Sequence, residues 1–512
     1  MFVAAENGAL PGGKVGGVGD VVRDLPAALA RLSWSATVVT PSYGTFARVP
    51  HSRKLGSINV WFRAGRHVVD VFEVPGSLPE VRNIVFEHAL FSPLGPGKVY
   101  CAADSEGPFA TDASKFAFLG AATASWIRQL GEPPDIVHLH DWHAAFYCLL
   151  RNFDPGFSCL QEIPTVFTIH NLSYQGTRPL SGDDSSLEAW FPGLDYEPAL
   201  VRDPLQTHCI NPLALAIRTA DRISTVSPTY AQEILRPSVP DQGFIGGEGL
   251  EIQLANAARA GRLVGILNGC EYSGTEGRRP GWQRIVSAAR TQVFDWLEAN
   301  PVDPIHKLAA ARLDALPKRR PAYVLTSIGR LVQQKVSLFL ENVAGGPSAI
   351  EQIVANLGSR GVLFLLGSGE PALEQRMYDV AQRSPRLIFL RGYSETLAEP
   401  LYHAGDLFLM PSSFEPCGIS QMLAMRAAQP CVVHGVGGLR DTVEDNKTGF
   451  VFEGDTPARQ AANFVAAVDK ALALKSNAPE RWQNLRRTAA AQRFDWARSA
   501  RQTIDELYQS AN

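Results

Sequence analysis

Residues 407–441 read LFLMPSSFEPCGISQMLAMRAAQPCVVHGVGGLRD, and this stretch decides the fold class. The apolar run 407–410 has the length of a buried strand, and Pro411, Ser412 and Ser413 interrupt it. From Ile419 onward the apolar positions Met422, Leu423, Met425 and Ala427 fit a short helix. Pro430 ends that helix before a second apolar run, Cys431, Val432 and Val433. The pattern is strand, loop, helix, strand, and in an open α/β sheet ligands sit at the carboxyl ends of the strands. The loop there carries one carboxylate, Glu415, and then Gly418 just before the helix. First-turn amides of a helix favour an anion, whereas a carboxylate suits hydroxyls or a cation. A sugar phosphate offers both; the alternative is a surface acid in an ordinary strand-to-helix loop.

The alternation extends in both directions. Around the opening stretch lie YVLTSIGR (323–330), a helix over 337–356, VLFLLGSGEP (362–371), a helix over 373–382 and RLIFLRG (386–392). GSGEP at 367–371 reads as a strand-to-helix turn rather than a phosphate contact, and a helix over 481–510 ends the chain. At the other end, a strand at 2–5 leads into a loop over 6–20 containing GGKVGGVGD. A helix follows with Val21, Leu25, Ala28, Leu29 and Leu32 on one face, then a strand at 36–41. Pro26 should kink that helix or lie near its start. The loop is neither a P-loop nor GxGxxG; its glycines let backbone approach a ligand and Lys14 adds a mobile charge, although tight-turn packing also explains it.

Between these halves, strand-like runs over 60–90 give way to a Pro/Gly-rich segment, 91–109, and a helix over 110–130. HLHDWHAAF (138–146) follows, a strand at 136–139 ending in His140, Asp141 and His143. Three imidazoles and a carboxylate invite a metal reading. Residues 138 and 140 lie on a strand and 143 beyond it, so convergence on one ion is not implied, and one histidine bonding a substrate is the other reading. TVFTIH (165–170) and DRISTVSP (221–228) repeat the apolar strand with a polar end. A Gly-rich loop, 243–251, and a strand-like 263–268 come next, and a domain boundary is expected near there, followed by about fifty less regular residues. Two α/β sheets with a cleft between them is the expected architecture.

Composition narrows the classes. A chain of 512 residues exceeds one core, and 45% apolar with 19% charged residues reads as a soluble globular protein. A formal net charge of −3 gives no electrostatic reason to expect nucleic acid or an anionic membrane as partner. Seven scattered cysteines without a CxxC, no signal-peptide pattern and no apolar run of membrane-spanning length point to the cytoplasm.

KVGGVGDVVRDLP, HLHDWHAAF, FTIHNLSYQG, TVSPTYAQEI, GILNG, GRLVQQK, LLGSGEP, PSSFEPCG and GGLRDTVED, in this order, resemble the bacterial glycogen and plant starch synthases over nearly the whole chain. The resemblance implies a GT-B fold: two Rossmann-like domains facing across a deep cleft, with the C-terminal helix crossing back to the N-terminal domain. It divides the chain into an acceptor-side domain, 1–258, a donor-side domain, 259–483, and the returning helix, 484–512. It implies a retaining hexosyltransferase that moves glucose from ADP-glucose to the non-reducing end of an α-1,4-glucan, with no metal and no cofactor besides the donor substrate. Residue by residue, Lys14, Gly16 and Gly17 resemble the family's donor-phosphate and substrate contacts, and Asp20 is the acid closing that motif. His143 looks like the histidine contacting the donor glucose, and Asn268 sits where the family has a residue near that glucose. Arg330 and Lys335 are similar to the pair holding the diphosphate. Glu415 looks like the carboxylate near the transferred sugar, with the amides of Gly418, Ile419 and Ser420 on the distal phosphate or ribose side.

The sequence also departs from that family. QKG(I/L)D is here QKVSLF, NGID is NGCEY without the DxWxP that follows it, the usual aromatic at Leu423 is missing, and ALRYG is AMRAA. The donor-base environment and acceptor groove are therefore expected to differ, while the ionic residues for a diphosphate remain. A related retaining transferase with another nucleotide sugar or a small acceptor is the alternative, and a non-catalytic glucan-binding relative is a third reading. The latter has no use for a diphosphate clamp.

Overall fold

The computed structural model of the chain describes residues 1–101, 107–272 and 280–509. It forms two compact units, Met1–Ser238 with Gly246–Gly269 and Trp496–Asn512, and Val239–Ile245 with Cys270–Asp495. Residues 102–106 of the Pro/Gly-rich segment and residues 510–512 of the expected terminal helix lie outside the described residues.

The strands of the first unit are β1 (Phe2–Val3), β2 (Ala36–Pro41), β3 (Arg53–Phe62), β4 (Gly65–Val74), β5 (Val81–Glu87), β6 (Val137–His140), β7 (Thr165–Ile169), β8 (Arg178–Pro179), β9 (Cys209–Ile210), β10 (Arg222–Thr225) and β11 (Leu263–Gly265). Apart from the β8-β9 pair they form one sheet in the order β11-β10-β7-β6-β1-β2-β5-β4-β3. The strands from β11 to β5 are parallel, and β4 and β3 add an antiparallel edge. The chain winds outward from β1 one way through β2 and β5, then returns to β1's other side and winds through β6, β7, β10 and β11. This is Rossmann order, and its switch point lies between β1 and β6. Phe2 is level with His138 and Val3 with Leu139, so the loops after β1 and β6 leave the sheet side by side.

The second unit repeats the plan. Its strands are β12 (Tyr323–Ile328), β13 (Gly361–Gly367), β14 (Leu387–Arg391), β15 (Leu407–Met410), β16 (Cys431–His434) and β17 (Gly449–Phe452). They pair in parallel in the order β14-β13-β12-β15-β16-β17, with the switch point between β12 and β15. Helices cover both faces of a parallel sheet, so its strands read as continuous apolar runs; β13 and β15 are buried at every position.

Several elements differ from the sequence expectations. The first helix begins at Gly17, not after Asp20, and Pro26 falls well inside Gly17–Ala30. The stretch before β12 holds two helices, Trp282–Ala299 and Pro304–Asp314. The first buries Trp282, Ile285, Val286, Ala289 and Val293, a helical spacing present in the sequence. The expected helix over 337–356 is two, Gln333–Leu340 and Ala349–Leu357, parted by Gly345, Gly346 and Pro347 and restarted by a Ser348–Glu351 capping box.

The domain limits follow from packing. Because β11 pairs with β10, the first unit continues past 258 to Gly269. The expected terminal helix is broken. Pro479–Ala491 buries Trp482, Leu485 and Ala489 in the second unit. Trp496–Thr503, with a π turn over Ile504–Tyr508, returns to the first, where the Ser499 hydroxyl donates to the Leu267 carbonyl at 2.6 Å and Tyr508 is buried. Among the described residues no helix is long and apolar enough to cross a membrane.

Ala428, in AMRAA, adopts φ +58° just past the helix Ser420–Arg426, a left-handed conformation that favours glycine. Ala428→Gly should therefore stabilise the second unit by about 1 kcal/mol, raising its unfolding midpoint by roughly 2–4 °C in scanning calorimetry. An unchanged or lowered midpoint would contradict the strain.

Candidate active site

In the second unit the candidate residues converge at the switch point. After β12 the chain turns through Gly329, Arg330 and Leu331 while the GSGEP turn after β13 lies against it. Leu331 N donates to the Ser368 carbonyl at 2.9 Å, and Glu370 N to the Leu331 carbonyl at 2.8 Å. A β-carbon at Gly367 would stand 1.9 Å from the Gly329 carbonyl oxygen, and one at Gly369 2.2 Å from that of Leu331. GSGEP is the strand-to-helix turn expected, between β13 and the helix Pro371–Arg383, and its glycines allow close backbone packing. Arg330 is held exposed beside Gly329, Leu331, Met410 and Ser412, which line one recess with Lys335 and Val336.

Lys335 lies in the first turn of Gln333–Leu340 and crosses the recess to Glu415, Nζ to Oε2 2.6 Å. The Ser412 hydroxyl donates to the same oxygen at 3.0 Å, and Glu415 is 5% exposed. The FEPCG loop is fixed from below. Gly438 N donates to the Glu415 carbonyl at 3.1 Å, and a β-carbon at Gly437 (φ +42°) would stand 2.0 Å from that oxygen. From the side, Gln334 Nε2 donates to the Phe414 carbonyl at 2.7 Å. The GG of GGLRD is thus a seat for the Glu415 backbone. Gly418 has φ +74°, Ile419 precedes the seven-residue helix Ser420–Arg426, and Ser420 opens it. Where QKVSLF departs from QKG(I/L)D, Val336 stands for the Gly and Leu338 for the Asp, and both are buried.

In the first unit, Lys14, Gly16, Gly17 and Asp20 gather where the Gly-rich loop enters its helix. Lys14 Nζ lies 2.9 Å and Arg23 Nη1 3.3 Å from Asp20 Oδ1. Burial raises the Asp20 carboxyl above its ordinary value, against the pull of Lys14 and Arg23. On the other side of the switch point, His143 lies in the first turn of the helix Asp141–Phe153. The Trp142, Phe116 and Tyr100 rings surround it at centroid distances of 4.3, 4.7 and 5.3 Å. Burial first, then the Lys115 charge, lowers this imidazole to about 3, leaving it neutral at pH 7. Asn268 is half-buried beyond β11, beside Gly269, which abuts Trp496.

The remaining imidazoles serve packing and hydrogen bonds. His138 Nδ1 lies 2.9 Å from the Tyr508 hydroxyl and Nε2 2.6 Å from the Thr168 hydroxyl, while His140 Nδ1 meets His170 Nε2 at 2.9 Å. Among the described residues no three histidine, cysteine or acidic side chains are placed to hold one metal ion.

Asp141, the carboxylate of the cluster that invites a metal reading, has a backbone role instead. It adopts φ +57° at the strand-to-helix junction and accepts the amides of His170 at 2.7 Å and Asn171 at 3.4 Å, tying HDWH to HNLSYQG. Its sequence signal is the acid between two histidines at a strand end. Burial, against those two hydrogen bonds and with the Glu6 charge added, raises it to about 7. Its folded pKa exceeds the unfolded value of about 4, so the stability it contributes is full below that pH and is lost as pH rises through 7. Asn keeps an acceptor oxygen and tolerates positive φ. Asp141→Asn should therefore gain on wild type between pH 5 and 8, by about 1–3 kcal/mol at the upper end in denaturant titrations. A variant less stable at pH 8 than wild type would contradict this.

Residues 1–256 match the family model of the starch synthase catalytic domain, and residues 322–473 that of glycosyl transferases group 1. The glycogen synthase of Anaeromyxobacter sp. (strain Fw109-5) is 35% identical over 100% of this chain and 98% of its own. That of Variovorax paradoxus (strain S110) is 33% identical, covering 97% and 96%. The solved catalytic domain of starch synthase IV from Arabidopsis thaliana, bound to ADP and acarbose, aligns over 100% of this chain and 98% of that one, with a TM-score of 0.77 and 26% identity. Sucrose-phosphate synthase from Thermosynechococcus elongatus shares the fold, with a TM-score of 0.54 at 19% identity. Two Rossmann-ordered units, each with charged residues gathered at its switch point, accompany this full-length likeness: the chain belongs to the glycogen and starch synthase family and is a glycosyltransferase of the GT-B fold class.

Proposed function

We propose that this enzyme transfers glucose from ADP-glucose to the non-reducing end of an α-1,4-glucan with retention of anomeric configuration. The observation that carries the reading is the recess at the β12/β15 switch point, where Arg330 and the Lys335–Glu415 pair sit together. Two cations there suit a diphosphate, and the adjacent carboxylate suits a sugar whose anomeric carbon gains positive charge as the bond to phosphate breaks. ADP and acarbose in the Arabidopsis starch synthase IV structure support a nucleotide and a glucan-like ligand.

In the proposed reaction the acceptor hydroxyl oxygen bonds to the anomeric carbon as the phosphate oxygen leaves from the same face. The hydroxyl proton passes to the departing phosphate. Arg330 and Lys335 stabilise the charge that builds on the nucleoside diphosphate, with the amides of Gly418, Ile419 and Ser420 on its distal phosphate or ribose side. Lys14, Gly16, Gly17 and Asp20 take the family's substrate-contact role, and Asn268 stands near the donor glucose. A neutral His143 can both donate to and accept from a sugar hydroxyl. These cations supply positive potential without a metal, and seven free cysteines suit a cytoplasmic setting.

Glu415→Gln should cut kcat about a hundredfold or more with modest change in donor KM, because the carboxylate acts as charge develops. Arg330→Ala should damage both, the diphosphate being charged throughout. A folded Glu415→Gln enzyme keeping more than about a third of wild-type kcat would sink the role of Glu415. Activity should also survive dialysis against EDTA; loss restored by a divalent ion would overturn the metal-free reaction.

A further inference from the structure

Glu6 stands at the end of the segment leaving β1, 3% exposed, and the Gly-rich loop closes around it. Its Oε2 accepts three backbone amides, Val15 at 2.9 Å, Gly16 at 2.6 Å and Gly19 at 3.2 Å. Gly16 is the N-cap of the helix Gly17–Ala30, so the Glu6 carboxylate takes up amides at the helix start from within the fold. A β-carbon at Gly19 would stand 3.0 Å from Oε2 and 3.1 Å from the Lys14 Cα, so glycine there lets the loop shut on the carboxylate. The other oxygen, Oε1, accepts the Tyr100 hydroxyl at 3.0 Å. The Tyr100 ring packs 5.3 Å from the His143 ring.

One carboxylate thus joins the two candidate elements flanking the switch point: KVGG…GD through its backbone, and the aromatic cage of His143 through Tyr100. We infer that Glu6 is a positioning residue for sugar transfer, setting Lys14, Gly16 and Gly17 relative to His143 without itself touching substrate or moving a proton. The inference rests on the proposed function. A misplacement of a fraction of an ångström between such groups lowers the rate more than binding, since productive geometry is lost while the diphosphate anchors Arg330 and Lys335 are untouched. A purely structural role would lower stability and leave the kinetics of the folded fraction intact.

Two variants separate these roles. Tyr100→Phe removes one hydroxyl and keeps the ring beside His143; Glu6→Gln keeps the shape and one acceptor oxygen for the loop amides. In the full-length enzyme, Tyr100→Phe should lower kcat about tenfold and Glu6→Gln by more, with KM for nucleotide sugar and glucan within about threefold of wild type after correction for folded fraction. Amide hydrogen exchange over residues 15–19 should quicken in both, a reading that does not depend on which donor is used. The inference is overturned if both variants keep kcat within about twofold of wild type, or if lost activity only tracks the unfolded fraction. Exchange over 15–19 unchanged in both variants also overturns it. A wild type that transfers no sugar from any nucleotide donor overturns the proposed function instead, and exchange still decides whether Glu6 anchors the loop.

Discussion

Crossovers between parallel strands are right-handed, so a chain that leaves a central strand and later returns beside it to wind the other way brings two loops together with no helix over the gap. In the second unit that gap lies between β12 and β15, and it holds an ammonium and a carboxylate 2.6 Å apart. Neither group reaches it by chance. Lys335 is placed by a helix starting five residues after β12, and Glu415 by a loop whose carbonyl rests on Gly438 N and leaves no room for a side chain at Gly437. A buried carboxylate needs its partners, and here the lysine and the Ser412 hydroxyl supply them.

The first unit meets the same constraint with different chemistry. Its gap, between β1 and β6, holds Glu6 with no lysine opposite it in the bonds described, only backbone amides and a tyrosine hydroxyl. Asp141 adds backbone strain at the end of β6 to draw in the loop after β7. Strain of this sort, about 1–3 kcal/mol at a non-glycine residue, persists where surrounding contacts over-determine it.

Much of this was readable from residue order. Short apolar runs followed by Gly- or Pro-marked loops located β1, β2, β7, β12, β13, β14, β15 and β16, because parallel strands covered on both faces leave a continuous signal. The helices Trp282–Ala299 and Pro304–Asp314 were missed although their periodicity was present, since no motif drew attention to them. The split at Gly345 was a turn signal within an otherwise helical run. In the second unit, Arg330 and the Lys335–Glu415 pair come together at one recess, and their placement follows from strand ends. The roles of Glu6, Tyr100 and Gly437 carry no signal in residue order, and Asp141 reads there as a possible ligand rather than a backbone tie. Their importance lies in contacts across 94 residues in one case and in backbone conformation in others.

QKVSLF and AMRAA leave Arg330, Lys335 and Glu415 in place and alter what surrounds them, so the identity of the donor is the decisive property. The most direct measurement is sugar transfer by the purified protein from a panel of radiolabelled nucleotide sugars to glycogen, maltooligosaccharides and small acceptors, with the product linkage and anomeric configuration read by NMR. Incorporation from ADP-glucose into the glucan acceptors as new α-1,4-linked residues is the expected result. Transfer from another donor alone, a β-linked product, or no transfer at all would contradict it.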